Sequence, residues 1–422
     1  MRNGMRRRGL TVAAALLTGV LALTGCGGGG GDDDKPGDQD GSGSSEQQEA
    51  DQAAEDADTS DAVITITPDD GADNVGINQD VQVSVEGGTI DEVTMTATET
   101  GAEVTGTLSE DKTSWQPDAQ LERATQYTLA VQASDSEQRE AHQEATFTTV
   151  SPENSFIGYF TPEDGSTVGV GMPVSLNFDK PITEKAAVEG GVHITASSGQ
   201  EVVGHWFGDS RLDFRPEDYW QANTTVTVEL DWDGVEGAEG VTGVQDRTFS
   251  FTVGRSQVST VDAAAHQMQV VRDGEVLRTV PISSGSDENP TYNGQMVISE
   301  KLLETRMDGA TVGFTDDDGE GEYDIPDVPH AMRLSTSGTF VHGNYWAADS
   351  VFGSVNTSHG CIGLNDTQGA DDDSTDAAWF YEESMIGDVV IVVNSPDEQM
   401  QPDNGLNGWN MNWTDWKAGS AL

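Results

Sequence analysis

Cysteine is nearly missing from this chain, with two among 422 residues. At most one disulfide can form, which excludes a cysteine-stapled scaffold. Basic residues are scarce too. Twenty Lys and Arg stand against 74 Asp and Glu, a formal net charge of −54. A nucleic-acid partner needs clustered cations to displace its counterions, so nucleic acid is excluded as a partner. The same scarcity excludes a polybasic patch for an anionic membrane surface. Apolar residues make up only 35% of the chain, yet nine Trp, twelve Phe and seven Tyr are enough to build small cores. The length fits about three domains.

The N-terminus reads as an address. Arg2, Arg6, Arg7 and Arg8 precede an uncharged run, Leu10–Leu23, too short to span a bilayer as a mature helix. This predicts an export signal over 1–25. The run ends Leu23-Thr24-Gly25-Cys26, which resembles the lipobox of bacterial lipoproteins. That resemblance implies a diacylglyceryl group on Cys26. An ordinary secretory signal with an incidental Cys is the alternative, and the consecutive Arg also admit twin-arginine export. With Cys26 lipidated, Cys361 is the one remaining thiol and no disulfide can form. The acidic balance suits high ionic strength, where screening suppresses self-repulsion, or simply colloidal solubility.

Residues 26–60 are Gly, Asp, Glu, Gln and Ser with almost nothing apolar. Such a segment cannot bury a core and is expected to be a disordered tether. From Asp61 the pattern changes to short alternating runs, such as Val63-Ile64-Thr65-Ile66 and Val81-Gln82-Val83-Ser84-Val85. Alternation between turn residues predicts antiparallel sandwiches. Thr67-Pro68-Asp69-Asp70-Gly71 recurs as Thr161-Pro162-Glu163-Asp164-Gly165, and Trp115-Gln116-Pro117 as Phe214-Arg215-Pro216. Two tandem immunoglobulin-like modules follow, over 61–150 and 151–254. Neither holds a catalytic constellation. His142, His193 and His205 stand alone and read as structural or surface residues. The modules read as spacers or wall-facing platforms.

After Arg255 the repeat stops. Short strands are expected at Met268–Val271, Val276–Ile282, Gln295–Ser299 and Thr339–Val341, a short helix at Asp376–Ser384, and a closing strand at Val389–Val393. The third domain, 255–395, is therefore mostly β, and the whole chain is mainly β. In the extension 396–422, Trp409, Trp413 and Trp416 are spaced i, i+4, i+7. One helical face could bury all three, or the segment could wrap irregularly onto the preceding domain.

The mature thiol lies in Ser358-His359-Gly360-Cys361-Ile362-Gly363-Leu364, and a second His lies upstream in Phe340-Val341-His342-Gly343-Asn344. A free thiol is mostly protonated at neutral pH and needs a neighbouring base to become a nucleophile. An imidazole can take that proton and return it to a leaving group. Glycine beside the nucleophile lets backbone N–H groups approach an oxyanion. The chemistry suggested is Cys/His acyl transfer. Three other readings stand beside it: an inert buried thiol, a metal site of His342, His359 and Cys361 lacking an evident fourth ligand, and histidines that simply pack.

The segment resembles the YkuD-type L,D-transpeptidases, whose signature is a His, a gap of about 14 to 17 residues, then Ser/Thr-His-Gly-Cys. Here 15 residues separate His342 from Ser358. The resemblance extends over about 255–395. It takes in Asn289-Pro290-Thr291-Tyr292-Asn293-Gly294, Arg306-Met307-Asp308, and Trp379-Phe380-Tyr381 through Gly387-Asp388-Val389-Val390. A lipoprotein carrying two immunoglobulin-like modules before this domain is similar to actinobacterial members. The resemblance implies that Cys361 attacks a peptidoglycan stem peptide and His342 serves as base and then acid. The backbone carbonyl of Gly343 would orient His342. The N–H groups of Gly360 and Cys361 would hold the oxyanion, and Ser358 and His359 would support the loop and the thiolate. It implies 3→3 cross-links through a thioester, acylation by penems and carbapenems, and no cofactor or metal.

Many members carry Asn or Arg two residues after the nucleophile, and this chain has Gly363. Asn365 is the candidate stand-in, with Tyr345 and Trp346 as further substrate-binding candidates. The expected location is the outer face of the cell membrane, lipid-anchored and facing the wall. Rival functions are an L,D-carboxypeptidase, an enzyme anchoring proteins to the wall, a non-catalytic wall-binding lipoprotein, and a transporter's capture protein.

Overall fold

Each of the two Val/Ile/Thr-rich repeats is locked by its own Asp-Gly turn. In the computed structural model, which describes residues 59–422 except 79, 316, 317 and 319, Asp70 Oδ1 accepts from Thr146 N at 2.8 Å. Gly71 N donates to Thr146 O at 2.7 Å. The second repeat does the same: Asp164 Oδ1 accepts from Ser250 N at 3.0 Å, and Gly165 N donates to Ser250 O at 2.7 Å. Gly71 and Gly165 both hold positive φ, +80° and +73°, a region that only glycine enters without strain. The repeated pentapeptide is thus a clasp joining the first strand of each module to its last. The expected leader, Cys26 and nearly all of the tether lie outside the described residues. Among the described residues no helix is long and apolar enough to cross a membrane.

In the first sandwich, Val63–Thr67, Gln82–Glu86, Ser114–Pro117 and Gly106–Leu108 form one sheet. Gly88–Ala97, Gln126–Asp135 and Glu140–Thr148 form the other. Alternation does the sorting, as Tyr127, Leu129, Val131 and Ala133 of one strand all point into the core. The second sandwich, Ser155 to Val253, repeats the plan and adds a short helix at Lys185–Gly190 that alternation did not predict. Both sandwiches bury their own apolar clusters.

The spacer expectation needs correcting for the second sandwich, because its core continues into the next domain. Val297 and Trp409 pack into the same apolar cluster as Val170, Met172 and Trp220. Gly169 N donates to Ile386 O and Gly171 N to Gly387 O, both at 2.8 Å. A Cβ on Gly169 would lie 2.3 Å from Asp388 N, so backbone meets backbone there. Arg255, at the junction, pairs with Asp388 at 2.9 Å. The module therefore buttresses the domain that follows.

Among the described residues that domain has nine strands. They are β1 (Gln257–Asp262), β2 (Gln267–Arg272), β3 (Glu275–Pro281), β4 (Gly294–Val297), β5 (Glu300–Asp308), β6 (Asp324–Arg333), β7 (Phe340–Asn344), β8 (Ile362–Asn365) and β9 (Val389–Val393). One sheet runs β3-β2-β1-β9-β4, and the other β5-β6-β7-β8. Within them β1/β9 and β7/β8 are parallel pairs. The expected strands fall within a few residues of β2, β3, β4, β7 and β9. Strands β1, β5, β6 and β8 were not foreseen; β6 holds two prolines, and β8 is only four residues long. Helix α1 (Asp376–Glu383) starts where Thr375 Oγ1 accepts from Ala378 N at 3.2 Å. Val341, Ile362, Leu364, Phe380, Val390 and Met332 fill the core between.

Of the two arrangements open to the three tail Trp, the single helical face does not form and the segment wraps irregularly, over the second sandwich as well as the third domain. A 3₁₀ turn, Gly408–Asn410, and a separate helix α2, Trp413–Ala418, are divided at Met411 and Asn412. The reason lies in Arg215. Its buried guanidinium donates to Met411 O at 2.8 Å, drawing the chain out of helical register. The guanidinium carbon sits 4.7, 5.4 and 4.3 Å from the ring centres of Trp409, Trp413 and Trp416. The indoles converge on one cation instead of lining one helix. Trp416 is fully buried and donates from Nε1 to Val203 O at 2.9 Å. His205, one of the isolated histidines, is buried against it, with Nδ1 2.9 Å from Trp416 O. Truncating such a Trp typically costs about 3–5 kcal/mol. The tail is thus a staple between the second sandwich and the third domain.

Candidate active site

Side chains alternate along a strand, so residues i and i+2 share a face. On β7 these are His342 and Asn344, and on β8 with its entry, Cys361, Gly363 and Asn365. The parallel register sets His342 beside Gly363 and Asn344 beside Asn365. Two short strands therefore bring the expected Cys and His to one place. A cavity of about 320 Å³ opens over this face. His342, Asn344, Trp346, Ser358, His359 and Cys361 line it, and Met307, Tyr323 and Ile325 cover it from the β5–β6 hairpin.

His342 is buried, and its Nδ1 lies 2.8 Å from Gly343 O. A carbonyl can only accept, so the proton sits on Nδ1 and Nε2 is left as the basic nitrogen. The Trp346 ring stacks on the imidazole, centroids 5.7 Å apart. Burial pushes the His342 pKa below its ordinary 6.5, against the opposing pull of the Gly343 carbonyl and the charge of Asp366.

Asp366 explains the glycine at 343. A Cβ there would lie 1.8 Å from Asp366 Oδ2. That carboxylate cannot step aside. It accepts from Thr375 Oγ1 and Thr367 N, both at 2.9 Å, and lies 2.8 Å from buried His330 Nδ1. Thr375 also caps α1, so helix, strand and the peptide orienting His342 are tied together.

Cys361 is half-buried, and its thiol donates to Gly338 O at 3.5 Å. Among the described residues no hydrogen bond joins it to His342. Burial pushes the thiol pKa up to about 11. The resting pair is therefore a neutral thiol and a neutral imidazole. Ser358 Oγ donates to Cys361 O at 2.5 Å and accepts from Gly360 N at 3.2 Å. It closes the nucleophile loop on itself, with Gly360 at φ +107°. The Gly360 N–H expected at the oxyanion is thus engaged in the resting state. Behind the loop, Ser358 N donates to Ser284 O at 3.1 Å, and the Asn289–Gly294 turn supplies Thr291, whose Oγ1 accepts from Gly285 N at 2.8 Å.

Three expected roles are relocated. His359 lines the cavity, but its Nε2 lies 3.2 Å from Glu322 Oε2 and its ring packs on Phe314 and Tyr323. It fastens the hairpin cover, and among the described residues no hydrogen bond joins it to the sulfur. Asn365 donates to Asp349 Oδ1 at 3.0 Å and does not line the cavity. Tyr345 likewise donates its hydroxyl to Asp327, at 2.6 Å. Of the three substrate candidates only Trp346 lines the cavity. Sequence reasoning passed over Asn344, Tyr323, Met307 and Ile325. Asn344 could have been found by counting two residues on from His342, whereas Tyr323 needed the β5–β6 hairpin to be recognised. The metal alternative finds no support in the geometry: among the described residues no cluster of three His, Cys, Asp or Glu is placed to hold an ion.

Residues 256–392 match the family of the L,D-transpeptidase catalytic domain, and residues 72–236 match a bacterial Ig domain. The chain is 33% identical over 372 residues to L,D-transpeptidase 2 of Mycobacterium tuberculosis, covering 88% of each chain. It is 31% identical over 366 residues to L,D-transpeptidase 5 of the same organism, covering 85% of this chain and 77% of that one. A solved structure of L,D-transpeptidase 3 from Mycobacterium tuberculosis with a faropenem-derived adduct is 27% identical. It covers 57% of this chain and 98% of its own, at a TM-score of 0.45. One of an L,D-transpeptidase in complex with imipenem is 31% identical, covering 56% and 97%, at a TM-score of 0.46.

Proposed function

The chain belongs to the L,D-transpeptidases, and from that premise we propose that Cys361 and His342 carry its peptidoglycan chemistry through a thioester. The observation that carries this reading is the His342–Gly343 contact. It leaves Nε2 unprotonated on a ring that shares a cavity with the thiol.

The thiol first leaves Gly338 O and gives its proton to His342 Nε2. The sulfur attacks the carbonyl carbon of the third residue of a tetrapeptide stem. The oxyanion falls to the backbone N–H groups at Gly360 and Cys361, once Ser358 Oγ releases the former. As the C–N bond to D-Ala breaks, His342 returns the proton to the departing amine. The thioester is then attacked by the side-chain amine of a second stem, His342 takes that proton, and the thiolate recovers it on leaving. The product is a 3→3 cross-link. Carbapenems and penems, as acyl donors, are expected to acylate the same sulfur.

The test is product analysis. The protein incubated with a disaccharide-tetrapeptide is expected to give a dimer lacking one D-Ala, seen by mass spectrometry. Tripeptide without dimer would make water the acceptor and replace the cross-linking reading with a carboxypeptidase.

The Leu23-Thr24-Gly25-Cys26 run supports a lipid anchor on Cys26, placing the enzyme outside the membrane and facing the wall. Membrane-extracted protein is expected to begin at Cys26 and to carry a diacylglyceryl mass there. Cleavage elsewhere with Cys26 unmodified would overturn the anchor.

A further inference from the structure

Asn344 is buried, with 5% exposure, yet half of its amide has no protein partner among the described residues. Its Oδ1 accepts from Ala347 N at 3.0 Å. That bond fixes the orientation of the amide, because an N–H cannot donate to an NH₂. Nδ2, with two protons to give, finds no hydrogen-bond partner among the described residues. Nδ2 is not one of the sealed, unpartnered side-chain atoms of the described residues; it opens onto the cavity, where a bound oxygen can accept from it in place of solvent.

What lies around Nδ2 says what arrives. Asn344 shares its strand face with His342 and lines the cavity that holds Cys361. Next to it, on β8, is Gly363. A Cβ built there would stand 3.4 Å from Asn344 Nδ2, 3.5 Å from Asn344 Cβ and 3.5 Å from Ser283 O. These are ordinary contacts, so a side chain at 363 is not forbidden by space or by backbone angle. Its absence leaves open ground above β8, and Asn344 presents its donor to that ground from β7. The other amide of this face, Asn365, is committed to Asp349. We infer that Asn344 Nδ2 is the side-chain donor that grips a carbonyl or carboxylate oxygen of the acyl donor, standing one strand over from the vacant position at Gly363. This rests on Cys361 being the acylated nucleophile.

The grip is made to bound substrate and to the transition state alike, so its loss should appear in KM more than in kcat. The experiment uses the full-length chain, imipenem as acyl donor, intact-protein mass spectrometry for the acylation rate, and thermal unfolding as a check on fold. Asn344→Asp keeps the acceptor for Ala347 N and the shape, and removes the NH₂. It should weaken half-saturation by about tenfold or more with the limiting rate little changed. The double variant Asn344→Ala with Gly363→Asn moves an amide to the neighbouring strand, and should recover most of that loss. Asn344→Asp with unchanged half-saturation would overturn the inference, as would a failure of the relocated amide to recover binding in a folded protein. If the wild-type chain gains no adduct on Cys361 at all, the reading of the nucleophile fails and this inference falls with it, a result distinct from either of those.

Discussion

Cys361→Ala is expected to leave no acyl-enzyme and no dimer, the largest effect any single substitution in this chain should have. The cavity holds no second nucleophile ready to take over. Ser358 Oγ is held by Cys361 O and Gly360 N, and moving it would open the loop it closes. Thr357 Oγ1 is 3.1 Å from Ser283 Oγ, part of the bridge that joins the loop to Ser283. Cys361 is also the one free thiol among the described residues. The fold should survive, because the sulfur makes one long bond, to Gly338 O at 3.5 Å, and core packing continues from Ile362 onward. The check is intact-protein mass after incubation with imipenem, alongside the melting temperature. A covalent adduct on the folded variant would remove Cys361 from the mechanism.

Much of this site could be read from the sequence because the signature there is local. Ser358 to Cys361 form one turn, and His342 lies one strand away in a parallel pair. The role of the Gly343 carbonyl came from the family resemblance alone, and the 2.8 Å contact with His342 Nδ1 is consistent with it. Other parts were illegible for a physical reason. Asp366 and His330 are 36 residues apart on different elements, and only the closed sheet brings them to 2.8 Å. No periodicity encodes that meeting. Nothing in the sequence alone requires a glycine at 343. The structure makes it obligatory, since the carboxylate of Asp366 occupies the space of a side chain. At the tail, spacing left a helical face and an irregular wrap both open; Arg215, in a different module, gathers the indoles around its guanidinium and so selects the wrap. The sandwiches were easier, because alternation and the Asp-Gly clasp both act within one module.

Replacing His342 by Ala tests the electrostatics of the pair, and its expected result has two parts. The first is a loss of about 10²- to 10⁴-fold in acylation rate near neutral pH, the usual worth of a positioned base. The upper end follows from the sulfur itself. Burial pushes the Cys361 thiol to about 11, so without a base only about one molecule in 10⁴ is thiolate at pH 7. The second part is the pH profile. The base works as neutral imidazole, and burial holds the His342 pKa below 6.5. Its neutral form therefore persists to lower pH than that of an ordinary histidine, so the wild-type rate should be level through neutrality and fall only in acid. The groups facing the imidazole are the Gly343 carbonyl on its own strand, Asp366 beyond β8, Cys361 at the start of β8, Trp346, and Tyr323 from the hairpin cover. Among these, the carbonyl and Asp366 pull its pKa up and burial outweighs them. The variant has no such base, so its residual rate should climb about tenfold per pH unit toward the thiol's own pKa. A His342→Ala enzyme that stayed level through neutrality would mean that another group takes the proton. The neutral thiol and neutral imidazole in this cavity would then be bystanders to each other.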